Sequence, residues 1–176
     1  MEERTNHYSL RPLELKDADR MLEWMQNRDI TRFLQIGGPE TTKDHVLSFI
    51  QHSAEDQDNL HRAIVDDTDT YLGTVSLKHI DREKREAEYA IAMHNSALGT
   101  GASADGSRLI LQTAFEELGL QRVYLYVLEE NQRAIRFYNK MGFQYTHSST
   151  IEHKGKKKTL MWFEILRDAR PAVSEN

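Results

Sequence analysis

Residues 93–142 constrain the chain more than any other stretch. They read as a strand end, a glycine turn, a helix, a strand and a second helix. The turn is Leu98-Gly99-Thr100-Gly101-Ala102-Ser103-Ala104. After it Leu109, Ile110, Thr113, Ala114 and Leu118 follow helical spacing, and Gly119 stops the helix. A glycine turn that opens a helix presents bare backbone N–H groups to an anion, most often a phosphate. Residues 123–128 are apolar on both faces, as a central strand covered by helices would be. Asn131 can then cap a helix carrying Ala134, Ile135, Tyr138 and Met141, with Gly142 just past its end.

The flanking segments supply a sheet. Residues 7–13 alternate weakly around Pro12, which suits an edge strand. Asp17 is placed to cap a helix with Ala18, Met21, Leu22 and Met25 on one side. Residues 27–39 read as a loop holding Phe33, Leu34, Ile36, Gly37 and Gly38; its apolar side chains are either tucked beneath it or lining a pocket. Thr41 and Asp44 resemble a capping box for a helix with Val46, Leu47 and Ile50, ending near residue 56. Residues 60–65, 71–80 and 86–93 read as an antiparallel meander, joined by Asp66-Asp67-Thr68-Asp69 and a charged turn over 81–85. In its third strand Ala87, Tyr89, Ile91 and Met93 share one face. Glu86, Glu88, Ala90 and Ala92 share the other, where the alanines leave room and Glu88 projects into it. Residues 143–152 and 159–165 form a last hairpin around a solvated tip of Lys154, Gly155, Lys156, Lys157 and Lys158. The polar tail over 167–176 is expected to fray.

The expected fold is α/β (α+β): a mixed seven-stranded sheet with helices on both faces. The 176 residues suit a single domain over 1–176, with its core at about 8–166. A net charge of −5 gives no basic field for nucleic acid and tolerates a cationic amine. The absence of cysteine excludes a disulfide framework, a Cys-ligated zinc and a cysteine nucleophile. No apolar run approaches the roughly 20 residues of a membrane span. The start, Met1-Glu2-Glu3-Arg4, lacks an apolar leader, so the cytoplasm is the expected location. The histidines show no metal-ligand spacing, and no metal is expected; His94 is read as a solvated loop residue.

Two of these segments together resemble the GNAT N-acetyltransferase family, over about residues 10–165. The family's turn has Gln or Arg, two residues, Gly, one residue, then Gly or Ala. Here Gly101 matches, Leu98 replaces the polar first residue and Ser103 the last small one. The second signature, N-x-x-A-i-x-x-Y-x-x-x-G-F, matches Asn131, Ala134, Ile135, Tyr138, Gly142 and Phe143. The resemblance implies the acyl-CoA N-acyltransferase fold, a mostly antiparallel sheet whose central strands splay around acetyl-CoA as cosubstrate. The pyrophosphate would sit on the N–H groups of Gly99, Thr100, Gly101, Ala102, Ser103 and Ala104. Backbone groups of Ile91, Ala92 and Met93 would bind the pantetheine, with Asn131 beside it and Ala134 keeping that wall thin. Tyr138 would act as general acid to the departing thiolate, and Glu88 would take a proton from the amine or bind it. Glu88 also has a plainer reading, a surface residue paired with Arg85 or Lys84.

By the same resemblance the acceptor is a small-molecule or peptide amine: a protein N-terminus, a polyamine or an amino-sugar nucleotide. The family often dimerises, so a homodimer enters by analogy. Two rival readings stand beside this one. Gly99 to Ala104 also fits a dinucleotide fingerprint, but the position about 20 residues on, where a ribose-binding acid should end a second strand, is Gly119 at a helix end, and too little chain follows. A catalytically silent acyl-CoA-binding sensor would share the fold, and Leu98 is the feature that favours it.

Overall fold

The computed structural model describes residues 7–34 and 38–169. Its strands are β1 (Ser9–Pro12), β2 (Leu60–Val65), β3 (Tyr71–Asp81), β4 (Glu86–Met93), β5 (Arg122–Leu128), β6 (Gln144–His153) and β7 (Lys156–Leu166). They form one seven-stranded sheet in the order β1-β2-β3-β4-β5-β7-β6. Neighbours are antiparallel except β4 and β5, which run parallel.

The parallel pair is short. It comprises Glu86 with Arg122, Ala87 with Val123 and Glu88 with Tyr124. Beyond it β4 stays paired to β3 as far as Met93, and β5 to β7 as far as Leu128. The sheet therefore opens as a wedge between residues 89–93 and the end of β5.

Helices α1 (Ala18–Gln26), α2 (Arg28–Thr31), α3 (Lys43–Ser53), α4 (Ala102–Gln112) and α5 (Gln132–Met141) complete the fold. Two separate cores result, one on each face of the sheet. On one, Met21 and Trp24 of α1 and Val46 and Ile50 of α3 pack against Ala63, Val65 and Tyr71. The Trp24 indole N–H donates to the Tyr71 hydroxyl at 2.9 Å, which satisfies both polar atoms inside that core. On the other, Ile110 of α4 and Ile135 of α5 pack against Val75, Tyr89, Leu125 and Phe163.

Local chemistry departs from the sequence reading at several points. Asp17 does not cap α1. It is buried, and its carboxylate accepts from both terminal Arg11 guanidinium nitrogens at 2.8 Å and from the Glu14 N–H at 2.8 Å. The capping box belongs to Thr42 and His45, one residue later than expected, because the Thr42 hydroxyl accepts from the His45 N–H at 3.3 Å. The segment expected as a loop contains α2, started by the Asn27 side chain accepting from the Asp29 N–H at 3.0 Å. Ile36 and Gly37 of that segment lie outside the described residues.

Helix α4 gives way to a single wide π turn, Thr113–Glu117. Toward that turn the buried positions are Ile110, Leu111, Ala114 and Phe115, while Leu109, Thr113 and Leu118 are only partly buried. Only one face of β5 is closed: Val123, Leu125 and Val127 are buried, while Tyr124 and Tyr126 are half-buried beside Trp162. The hairpin tip is just Lys154 and Gly155, at φ 52° and 77°; Lys156, Lys157 and Lys158 continue β7. Lys158 ion-pairs with Glu130 at 3.0 Å, so that lysine is no part of a solvated tip. Arg167–Ala169 makes one helical turn, and the rest of the tail, like the first four residues, is outside the described region. No described helix is long and apolar enough to cross a membrane.

Gly73 sets how closely β3 approaches the open end of β4. A Cβ there would stand 2.7 Å from the Ala92 carbonyl oxygen and 3.1 Å from the Met93 Cα, both backbone atoms that cannot swing aside. Gly73→Ala is expected to cost about 1–3 kcal/mol, seen as a lower denaturant midpoint at unchanged slope. A midpoint equal to that of the parent would show that the strands can separate locally at no cost.

Candidate active site

Two clefts meet where the sheet opens. The larger, about 1490 Å³, lies along α4 and α5 and reaches the glycine turn. The smaller, about 650 Å³, lies on the α1 and α3 side, above Ala90 and Ala92. Phe33, Leu34, Ile91, Ala92 and Tyr138 belong to both walls, so the two clefts adjoin at the wedge.

The turn is shaped by two left-handed residues, Gly99 at φ 77° and Gly101 at φ 88°. A Cβ on either would meet nothing within 4 Å, so the surface above them is open. Among the described residues the N–H groups of Gly99, Gly101, Ser103 and Ala104 make no hydrogen bond, and all four residues line the larger cleft. Free N–H groups at a helix start attract an anion.

Thr100 and Ala102 are placed differently. The Thr100 N–H donates to the Ala97 carbonyl at 3.2 Å, and the Thr100 hydroxyl accepts from the Ala102 N–H at 3.3 Å. Ala102 itself is buried. These two residues brace the turn from behind. Leu98 is 46% exposed on the cleft wall, an apolar surface where the family carries a polar group. Arg32, Arg108, Arg133 and Lys140, none singled out in the sequence, make this cleft cationic.

Asn131 caps α5, its side-chain oxygen accepting from the Ala134 N–H at 3.3 Å. Tyr138 follows seven residues later, about two turns down the same face. Its ring meets Tyr89 edge-on, with centroids 5.9 Å apart. Its hydroxyl has no hydrogen-bond partner among the described residues. Burial pushes the phenol up to about 12.

Glu88 faces the smaller cleft and is only 6% exposed. Its partner is neither Arg85 nor Lys84. Lys78 stands directly across on β3, with its Nζ 3.3 Å from Glu88 Oε2. One step along, His61 Nδ1 lies 2.7 Å from Ser76 Oγ, and Ser76 pairs with Ala90. Burial lowers the His61 pKa, with the Asp56 charge acting in the opposite direction. Lys78, His61 and Ser76 became legible only with the strand register.

His94 is not a solvated loop residue. It is buried at the end of β4, with Nε2 2.5 Å from Glu23 Oε2 and Nδ1 2.7 Å from Ser96 Oγ. Among the described residues no group of three or more His, Asp or Glu could hold a metal ion.

The sequence pattern of the acetyltransferase (GNAT) domain matches residues 8–144. An uncharacterized N-acetyltransferase of Bacillus licheniformis is 29% identical over 144 residues, 80% of each chain. Spermidine N(1)-acetyltransferase of Escherichia coli is 28% identical over 134 residues, 76% of this chain and 71% of that one. The fold matches that of spermidine N-acetyltransferase from Vibrio cholerae, solved in complex with CoA and spermine, at a TM-score of 0.82. That match covers 92% of this chain and 96% of the other at 24% identity. With its opened sheet, bare glycine turn and capped tyrosine helix, the chain belongs to the GNAT family of acetyl-CoA-dependent N-acetyltransferases.

Proposed function

We propose that the protein transfers the acetyl group of acetyl-CoA to a primary amine by direct attack, the two substrates approaching from opposite faces of the sheet. The observation that carries this is the meeting, at Tyr138, of an anion-receptive cleft and a second cleft holding a carboxylate. A sensor that never meets an acceptor has no use for the second cleft. Relatives named as spermidine N-acetyltransferases and a putative ribosomal N-acetyltransferase of Bacillus subtilis support an amine as acceptor. A protein N-terminus, a polyamine and an amino-sugar nucleotide are the classes to compare.

The N–H groups of Gly99, Gly101, Ser103 and Ala104 suit the pyrophosphate, helped by the cationic wall of the cleft. Asn131 and Ala134 flank the path of the pantetheine, and the backbone of Ile91, Ala92 and Met93 holds its inner end. Leu98 cannot hydrogen-bond a phosphate, so binding rests on the backbone. Acetyl-CoA supplies the activated acyl group as a thioester.

An ammonium cannot attack, so the amine must first lose a proton. Glu88 accepts it, directly or through water. The N–C bond then forms, the C–S bond breaks, and Tyr138 gives its hydroxyl proton to sulfur; the second proton of the attacking nitrogen leaves through water as the amide forms and restores the Tyr138 hydroxyl. The products are an amide and the free thiol. No side chain becomes acylated in this scheme.

Tyr138→Phe keeps the ring packing and removes the donor. Its kcat is expected to fall about 10²-fold or more, while CoA affinity by calorimetry stays within about twofold. Equal turnover would remove Tyr138 from the chemistry. The pH profile adds an independent check. A tyrosine at its ordinary value near 10 would lose its proton there, whereas this one holds it to about 12. The raised value keeps the donating form filled, so kcat should stay level between about pH 8 and 10. A descending limb centred near 10 would contradict the assignment.

A further inference from the structure

We infer that the acceptor is an amine with a single positive charge on an apolar, ring-sized body, and that polyamines are poor substrates. This rests on the acetyl-transfer reading above and concerns the smaller cleft alone. A polyamine brings several ammonium groups into one pocket. Each needs a carboxylate, a free carbonyl or an uncovered ring face.

The cleft offers little of this. Among its described lining residues only Asp56 and Glu88 carry carboxylates. Asp56 spends its oxygens on its own turn. It accepts from the Asp58 N–H at 2.9 Å, the Asn59 N–H at 3.0 Å and the Asn59 side-chain amide at 3.0 Å. Glu88 is held by Lys78. The Lys78 ammonium also lines the cleft, and it repels a second cation. His61 adds no negative charge, and burial favours its neutral form.

Three of the aromatic side chains on its wall already have partners. The Arg32 guanidinium lies over Phe33, 4.4 Å from its centroid. Tyr126 packs on Trp162 at 4.9 Å. Phe49 meets His61 edge-on at 4.8 Å. What remains is a mostly apolar chamber with adaptable walls at Met21 and Met25. Its volume, about 650 Å³, fits a small organic molecule. One carboxylate stands at its inner end, since Glu88 belongs to the last β4–β5 pair before the wedge. An amino group can reach Glu88 while an apolar body fills the chamber.

The test compares 2-phenylethylamine with spermidine on the whole chain saturated with CoA, by calorimetry, and with acetyl-CoA, by thiol release. Phenylethylamine should bind about tenfold more tightly or better, and show the higher kcat/KM. Lys78→Gln, with Lys78→Met as a second replacement, should move the binding ratio toward spermidine by about threefold or more, since each removes the repelling charge.

Equal or tighter spermidine binding overturns the inference, as does failure of phenylethylamine to bind or an unmoved ratio in both variants. Phenylethylamine binding without thiol release overturns the transfer reading and leaves the charge preference standing. Spermidine turnover above that of phenylethylamine leaves transfer standing and overturns the preference.

Discussion

The parting of β4 from β5 is the constraint on which everything else in this molecule depends. Peptide groups that leave a sheet must find partners or water, because an unpaired buried amide is costly. Here the two strands are pulled apart by their outer neighbours. β4 follows β3 to the Gly73–Met93 pair, and β5 follows β7 to the Leu128–Leu160 pair. Tyr89, Tyr138 and Phe143 fill the angle on the α4 and α5 face, with centroids 5.4–6.1 Å apart. On the other face Ala90 and Ala92 leave it empty. The open end is also pinned: His94 grips Glu23 of α1, and the His94 N–H donates to the Leu72 carbonyl at 2.7 Å. The wedge is therefore braced at its mouth and padded at its floor.

Two tyrosines lie at this floor, and their hydroxyls differ. Tyr89 is buried, and its oxygen is 2.6 Å from Ser107 Oγ. Burial drives its pKa well above 10. The Ser107 hydroxyl in turn donates to the Ser103 carbonyl at 2.7 Å, which leaves its oxygen to accept from Tyr89. The Tyr89 proton is thus committed to the core. Tyr138 has no such commitment and stands in the wall of both clefts. Packing leaves one phenol of the pair uncommitted, a difference that sequence spacing alone does not show.

What could be read from the chain followed physical range. Strand β2 was legible from residue type and the Asp66 turn, and the glycine turn from a conformation that only glycine adopts freely. The sequence spacing also put Glu88 on the roomy face, since period two is a property of a strand by itself. Partners were not legible. Lys84 and Arg85 are near Glu88 in sequence, yet the hairpin register, with an irregularity between Lys78 and Asp81, delivers Lys78. His94 read as solvated because Glu23 is 71 residues away. Asp17 read as a cap because its fork of bonds to Arg11 requires the chain to double back. The open face of β5 was misread because tyrosine looks apolar in a pattern and tolerates water in a structure.

The Lys78–Glu88 pair joins stability to selectivity. A carboxylate almost out of solvent needs a partner, and breaking a buried ion pair costs several kcal/mol. Lys78 meets that need from the adjacent strand before any substrate arrives. The same ammonium then limits what can follow. An incoming amine must share Glu88 with Lys78, so one added positive charge can be accommodated and a chain of them cannot. A pocket that kept its base buried with a backbone or hydroxyl donor would carry no such restriction. Here the requirement for a folded, paired carboxylate at the wedge itself sets the charge of the acceptor.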